Sequence, residues 1–100
     1  MFIVYVKHYL TPTGLDYVNS TWYDKVLSKM QKQKGFHSFT KSITGDCAYF
    51  EIHFQTEEHF NHWWKEDPDH DSLILDLDPY RSRSYWESTN SHSPNNWDRN

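Results

Sequence analysis

One hundred residues with a mass of 12.2 kDa make a single domain, because a second independent core does not fit in so short a chain. Ten basic against fourteen acidic side chains give a formal net charge of -4, a poor footprint for wrapping nucleic acid or an anionic membrane surface. The mean hydropathy is -0.95 and the longest apolar run is the short Phe2 to Val6, so no transmembrane helix is expected. One cysteine, Cys47, allows no internal disulfide framework, and three glycines leave neither a P-loop nor a dinucleotide fingerprint. The N-terminus runs into a strand-like segment without a basic leader, so no signal peptide is expected and the chain reads as cytoplasmic.

Residues 2 to 9, FIVYVKHY, are β-branched and aromatic with no breaker and predict a strand. Phe2, Val4, Val6 and His8 share one face; Ile3, Tyr5, Lys7 and Tyr9 share the other. Thr11-Pro12 signals a helix start, a hydroxyl cap followed by Pro where its missing N–H is harmless. Leu15, Val18, Trp22, Val26 and Met30 then recur at steps of three and four, an amphipathic stripe whose opposite face carries Asp16, Asn19, Lys25, Lys29 and Lys32. Gly35 is expected to end this helix in a left-handed cap.

Residues 36 to 43 predict a second strand, Thr44-Gly45-Asp46 a tight turn, and residues 47 to 54 a third strand that completes a hairpin. Thr56 is a cap for a second helix, with Glu57 and Glu58 in its electropositive first turn and Phe60, Trp63 and Trp64 as apolar anchors. Trp63 and Trp64 are adjacent, so an ideal helix sends only one of them directly to the core. Asp67-Pro68-Asp69 breaks the pattern. A short helical piece from about His70 to Leu77 follows, and residues 80 to 87 predict a last strand. Residues 88 to 100, rich in Ser and Asn, form a polar tail outside the domain of residues 1 to 87.

The order β-α-β-β-α-β implies an α+β, ferredoxin-like fold: a four-stranded antiparallel sheet with both helices on one face. Such a sheet has a second face that no helix covers. The first strand is apolar or aromatic on both sides, which predicts a homodimer joined sheet against sheet.

The chain resembles the antibiotic biosynthesis monooxygenase domain of the dimeric α/β-barrel superfamily. The resemblance rests on the Thr11-Pro12-Thr13-Gly14 opening of the first helix and on Lys34-Gly35-Phe36. It rests further on the passage Phe54-Gln55-Thr56-Glu57-Glu58-His59-Phe60 and on Asp67-Pro68-Asp69-His70, in that order over residues 1 to 87. It implies a homodimer with a pocket between sheet and helices and, in some members, oxidation of aromatic polyketides without metal or flavin. A haem-degrading branch uses an Asn, a Trp and a His. On this sequence their positions fall on Lys7, Trp63 and Leu73, so only the Trp is matched, with His70 one turn before the third.

A cofactor-free oxygenase needs a base to deprotonate a phenol-like substrate and a group to hold the oxygen anion. His53 and His8 are the candidate bases, since an imidazole titrates near working pH, and Lys7 or a tyrosine is the candidate anion holder. Trp63 is expected to wall the pocket, with Tyr5 and His70 lining it. No cofactor is implied. His59 and His62, three residues apart near Asp69, His70 and Asp71, read as a solvated helix face rather than a metal site. Arg81 and Arg83 read as solvated charges. The expected function is a small monooxygenase-like protein for an aromatic or quinol-type molecule; the alternative is a non-catalytic dimeric binding or regulatory protein on the same scaffold. An RNA-recognition fold shares the element order, but Lys34-Gly35-Phe36 leads into the second strand rather than the third, where its aromatic motif belongs.

Overall fold

A computed structural model describes residues 1–83, folded as an α+β domain in which one antiparallel sheet carries the helices on one face. The strands are β1 (Phe2–Tyr9), β2 (Phe36–Thr44) and β3 (Cys47–Phe54), in the order β1-β3-β2. β3 is central. It pairs with β1 in the register Val4↔Ile52, Val6↔Phe50, His8↔Ala48, and with β2 through Phe39↔Ile52. The hairpin turns at Gly45, whose φ of 60° suits the tight reversal.

The first helical run comprises α1 (Pro12–Tyr17), a π-helical stretch Val18–Trp22, and α2 (Tyr23–Met30). Thr11 caps it through an oxygen that accepts from the Gly14 amide at 3.1 Å. The predicted stripe is the buried face: Val18, Trp22, Val26 and Met30 are buried and Leu15 packs beside them. Gly35 has the positive φ expected of it, 82°, but it does not end the helix. α2 stops at Met30 with Gln31 as its cap, and Gly35 instead turns the chain into β2 against the ring of His59.

The second helical run comprises α3 (Glu57–Asn61), a π-helical stretch His62–Glu66, and α4 (Pro68–Leu77). Thr56 caps α3 by accepting from the His59 amide. Asp67 caps α4 by accepting from the Asp69 amide at 2.9 Å, so α4 begins at Pro68, before the predicted His70. Trp63 and Trp64 are both buried. An ideal α-helix would send only one of them inward. The π stretch widens the turn at this point, and Trp64 places its Nε1–H on Asn61 Oδ1 at 3.0 Å.

The last strand, expected over 80 to 87, is described only as far as Arg83. Asp78–Tyr80 form a single 3₁₀ turn, and Arg81 bridges antiparallel to Leu10, with Thr11 N–H on Tyr80 O at 2.8 Å and Ser82 N–H on Tyr9 O at 3.1 Å. That contact lies along the β1 edge of the sheet. Three strands therefore make the sheet among the described residues. The remainder of the predicted strand and the polar tail lie outside them. Among the described residues no helix is long and apolar enough to cross a membrane.

Candidate functional site

β1 alternates cleanly. Val4, Val6 and His8 turn under the helices and are buried, while Ile3, Tyr5, Lys7 and Tyr9 face the other way. β3 does the same, with Ala48, Phe50, Ile52 and Phe54 inward and Tyr49, Glu51 and His53 outward. Among the described residues the sheet thus has a helix side and an open side, and the sequence-predicted residues divide between them.

On the helix side lies a cavity of about 40 Å³, room for a few waters. Its walls are mainly apolar. Trp22, Phe50, Phe60 and Trp63 supply aromatic surface, and Val26, Met30 and Leu73 fill between them. Two imidazoles, His8 from β1 and His70 from α4, line it as well. The rings are ordered by one another. His8 meets Trp22 and Phe50 edge-on, at centroid distances of 6.0 and 5.8 Å, and His70 meets Trp63 edge-on at 5.6 Å. Trp22 reaches across the cavity to donate its Nε1–H to the Leu73 carbonyl of α4 at 2.8 Å, tying α4 down over the site.

His8 is 2% exposed. Its Nδ1 lies 3.1 Å from a guanidinium nitrogen of Arg81, whose side chain is only 6% exposed and whose Nε donates to Asp78 Oδ1 at 2.9 Å. Burial, then the Arg81 charge, then His70 push the His8 imidazole down from 6.5 to about 3, so it is neutral in any ordinary buffer. Arg81 is the residue that sequence reasoning missed. It reads as a solvated charge because nothing in its neighbourhood on the chain announces a partner 73 positions away. The alternation of β1, which turns His8 inward, was the one available signal.

Tyr5, Lys7 and His53 are on the open side of the sheet and do not reach this cavity. His53 Nε2 pairs with Glu51 on its own strand, and Lys7 lies 5.1 Å from the ring centroid of Tyr9. A groove of about 440 Å³ there is bordered by Tyr5, Lys7, Tyr49 and Glu51. Burial pushes the Cys47 thiol above its ordinary value, which leaves it a poor nucleophile. Among the described residues no three His, Cys, Asp or Glu side chains gather as metal ligands. His59 is instead occupied with the Thr56 hydroxyl.

No model of a known protein family matches the chain, and no curated protein matches it. Solved structures do. An antibiotic biosynthesis monooxygenase superposes with a TM-score of 0.71 at 10% identity, over 84% of this chain and 90% of that one. A conserved protein of Methanosarcina mazei Go1 gives 0.71 at 9% identity, over 83% of each chain. The ActVA-Orf6 monooxygenase of Streptomyces coelicolor, solved with nanaomycin D, gives 0.67 at 17% identity, over 78% of this chain and 72% of that one. The family resemblance read from the helix openings and their order is therefore met in three dimensions, and the chain has the fold of an antibiotic biosynthesis monooxygenase.

Proposed function

We propose that the chain is a monooxygenase-like protein that admits a small aromatic, quinol-type molecule to the helix-side cavity and acts as a homodimer joined through the open faces of two sheets. The observation that carries this reading is the cavity wall, in which the rings of Trp22, Phe50, Phe60 and Trp63 surround two inward imidazoles. A flat ring stacks on such walls, and a hydroxyl on it finds the imidazoles. The fold supports the reading, since its structural neighbours include monooxygenases, one of them solved with nanaomycin D. At about 40 Å³ the cavity is closed to a ring, so entry requires α4, which carries His70, Leu73 and Ile74, to move outward.

In this reading His8 donates a hydrogen bond to the substrate oxygen and His70 takes the phenolic proton. The phenolate passes one electron to dioxygen. The ring radical and superoxide combine at a ring carbon, and collapse of the hydroperoxide leaves a carbonyl. One oxygen atom stays on the ring, and the other departs as water with the hydroxyl hydrogen and the displaced ring hydrogen. Lys7, Tyr5 and His53 belong to the sheet interface rather than to the chemistry.

A non-catalytic binding protein is the second reading. It is favoured by His8, which is held neutral with Arg81 on its Nδ1 and so offers a hydrogen bond without acting as a base. Oxygen uptake with a panel of dihydroxyaromatics, beside binding followed by tryptophan fluorescence, separates the two. Uptake that falls by about 10²–10⁴-fold in His70→Gln, with binding kept within a few-fold, supports the oxygenase. Binding without uptake supports the second reading, and neither binding nor uptake defeats both.

A further inference from the structure

We propose that Arg81, held by Asp78, is a positioning residue: its guanidinium occupies Nδ1 of His8 and so keeps the imidazole proton on Nε2, the ring nitrogen left to the cavity.

The sense of the contact is not in question. A guanidinium has donors and no acceptor, so at 3.1 Å the nitrogen of Arg81 donates and Nδ1 of His8 accepts with its lone pair. A neutral imidazole with a lone pair at Nδ1 carries its proton at Nε2. The guanidinium is also restrained. Its Nε donates to Asp78 Oδ1 at 2.9 Å, and its backbone bridges to Leu10, just past the end of the strand that carries His8. Two backbone hydrogen bonds on either side of that bridge, Thr11 to Tyr80 and Ser82 to Tyr9, bind the segment to β1.

The groups that face His8 act together. Arg81 from the terminal segment and His70 from α4 both oppose a second proton on the ring, and the rings of Trp22 and Phe50 pack edge-on against it. The result is a constant donor rather than a base, which suits a carbonyl or phenolate oxygen of a ligand. The positioning role rests on the cavity being the ligand site, as proposed above; the tautomer does not, and it is the tautomer that the experiment reads.

Two-bond ¹H–¹⁵N correlation spectra of the whole chain, labelled at histidine, report the tautomer of each ring. His8 is expected in the Nε2–H form, unchanged from pH 8 to pH 5. Arg81→Met removes the donor and the charge while keeping much of the side chain's length. It is expected to give a mixture of tautomers and a His8 that titrates at least about one pH unit higher. Asp78→Asn changes an exposed carboxylate and loosens the guanidinium. It is expected to shift the tautomer in the same direction by less, and it carries the test if Arg81→Met does not fold. An Nδ1–H tautomer in the unaltered chain overturns the proposal, as does a His8 that neither variant changes. No turnover enters these readouts. A chain without oxygenase activity that still shows Nε2–H at His8 defeats the oxygenase reading and leaves this inference standing.

Discussion

A histidine at position 8 completes the inward set Val4, Val6, His8 of β1, and the fold tolerates it there only as the neutral ring. That has a consequence for stability with a definite sign. In the unfolded chain the imidazole takes up a proton near 6.5; in the folded chain it does not do so until about 3. The unfolded state therefore binds more protons across that window. The contribution of His8 is fully present above pH 6.5 and is lost as pH falls toward 3, at up to about 1.4 kcal/mol per pH unit. His8→Phe removes the titration, and although it leaves Arg81 without its acceptor, that loss is a nearly constant offset. The urea midpoint is expected to fall less between pH 7 and pH 4.5 in His8→Phe than in the unaltered chain. Equal falls in the two proteins would show that His8 is not the buried neutral group described. At this scale the sequence shows which side of the strand His8 takes, because period-two alternation is local. It does not show Arg81, because the pairing is made by chain topology.

Gly14 sits where two elements come closer than a side chain allows. A Cβ built on it would lie 2.6 Å from Cβ of Tyr80 and 3.1 Å from Cβ of Leu10, and Tyr80 is itself stacked on Tyr17 at 5.1 Å. In an unpacked helix Gly14→Ala would gain about 1 kcal/mol of propensity. Here the added methyl meets the root of an ordered side chain and cannot be relieved by a rotamer change. The substitution is expected to lower stability by about 1–3 kcal/mol net in urea denaturation. A midpoint unchanged or raised would mean that the segment Asp78–Tyr80 is not packed as described. The same substitution pushes on the segment that brings Arg81 to His8.

Elements were the most legible scale. The three strands, the hairpin turn at Gly45 and the caps at Thr11 and Thr56 follow from β-branching, glycine and hydroxyl chemistry that act within a few residues. The π stretches at Val18–Trp22 and His62–Glu66 were not legible, because a widened turn leaves the three-and-four spacing of its neighbours intact. It was the second of these that allowed both Trp63 and Trp64 inside, against the expectation for a regular helix. Gly35 was misplaced for a related reason: a positive-φ glycine is readable, but whether it closes a helix or opens a strand depends on where α2 stops.

At the scale of the molecule, the face of the sheet away from the helices is the one that the described residues leave uncovered. Tyr5 is 38% and Tyr49 is 41% exposed, and with Ile3 and Tyr9 they lie among Lys7, Glu51 and His53. The first strand is less uniformly apolar on this side than a buried strand, yet tyrosines are among the residues that interfaces between folded chains favour. The register places Lys7 directly opposite Tyr49. Light scattering at micromolar concentration is therefore expected to give twice the chain mass of 12.2 kDa. Tyr49→Lys sets a second cation beside Lys7 at the centre of the face, where like charges are costly. That variant is expected to give the single-chain mass with an unchanged circular dichroism spectrum. A single-chain mass for the unaltered protein defeats the dimer. The cavity and this face are on opposite sides of one sheet, with Val6 facing the first and Lys7 the second. A monomeric Tyr49→Lys chain is thus expected to keep the His8 tautomer, whereas loss of that tautomer on dissociation would mean that the partner chain shapes the cavity through β1.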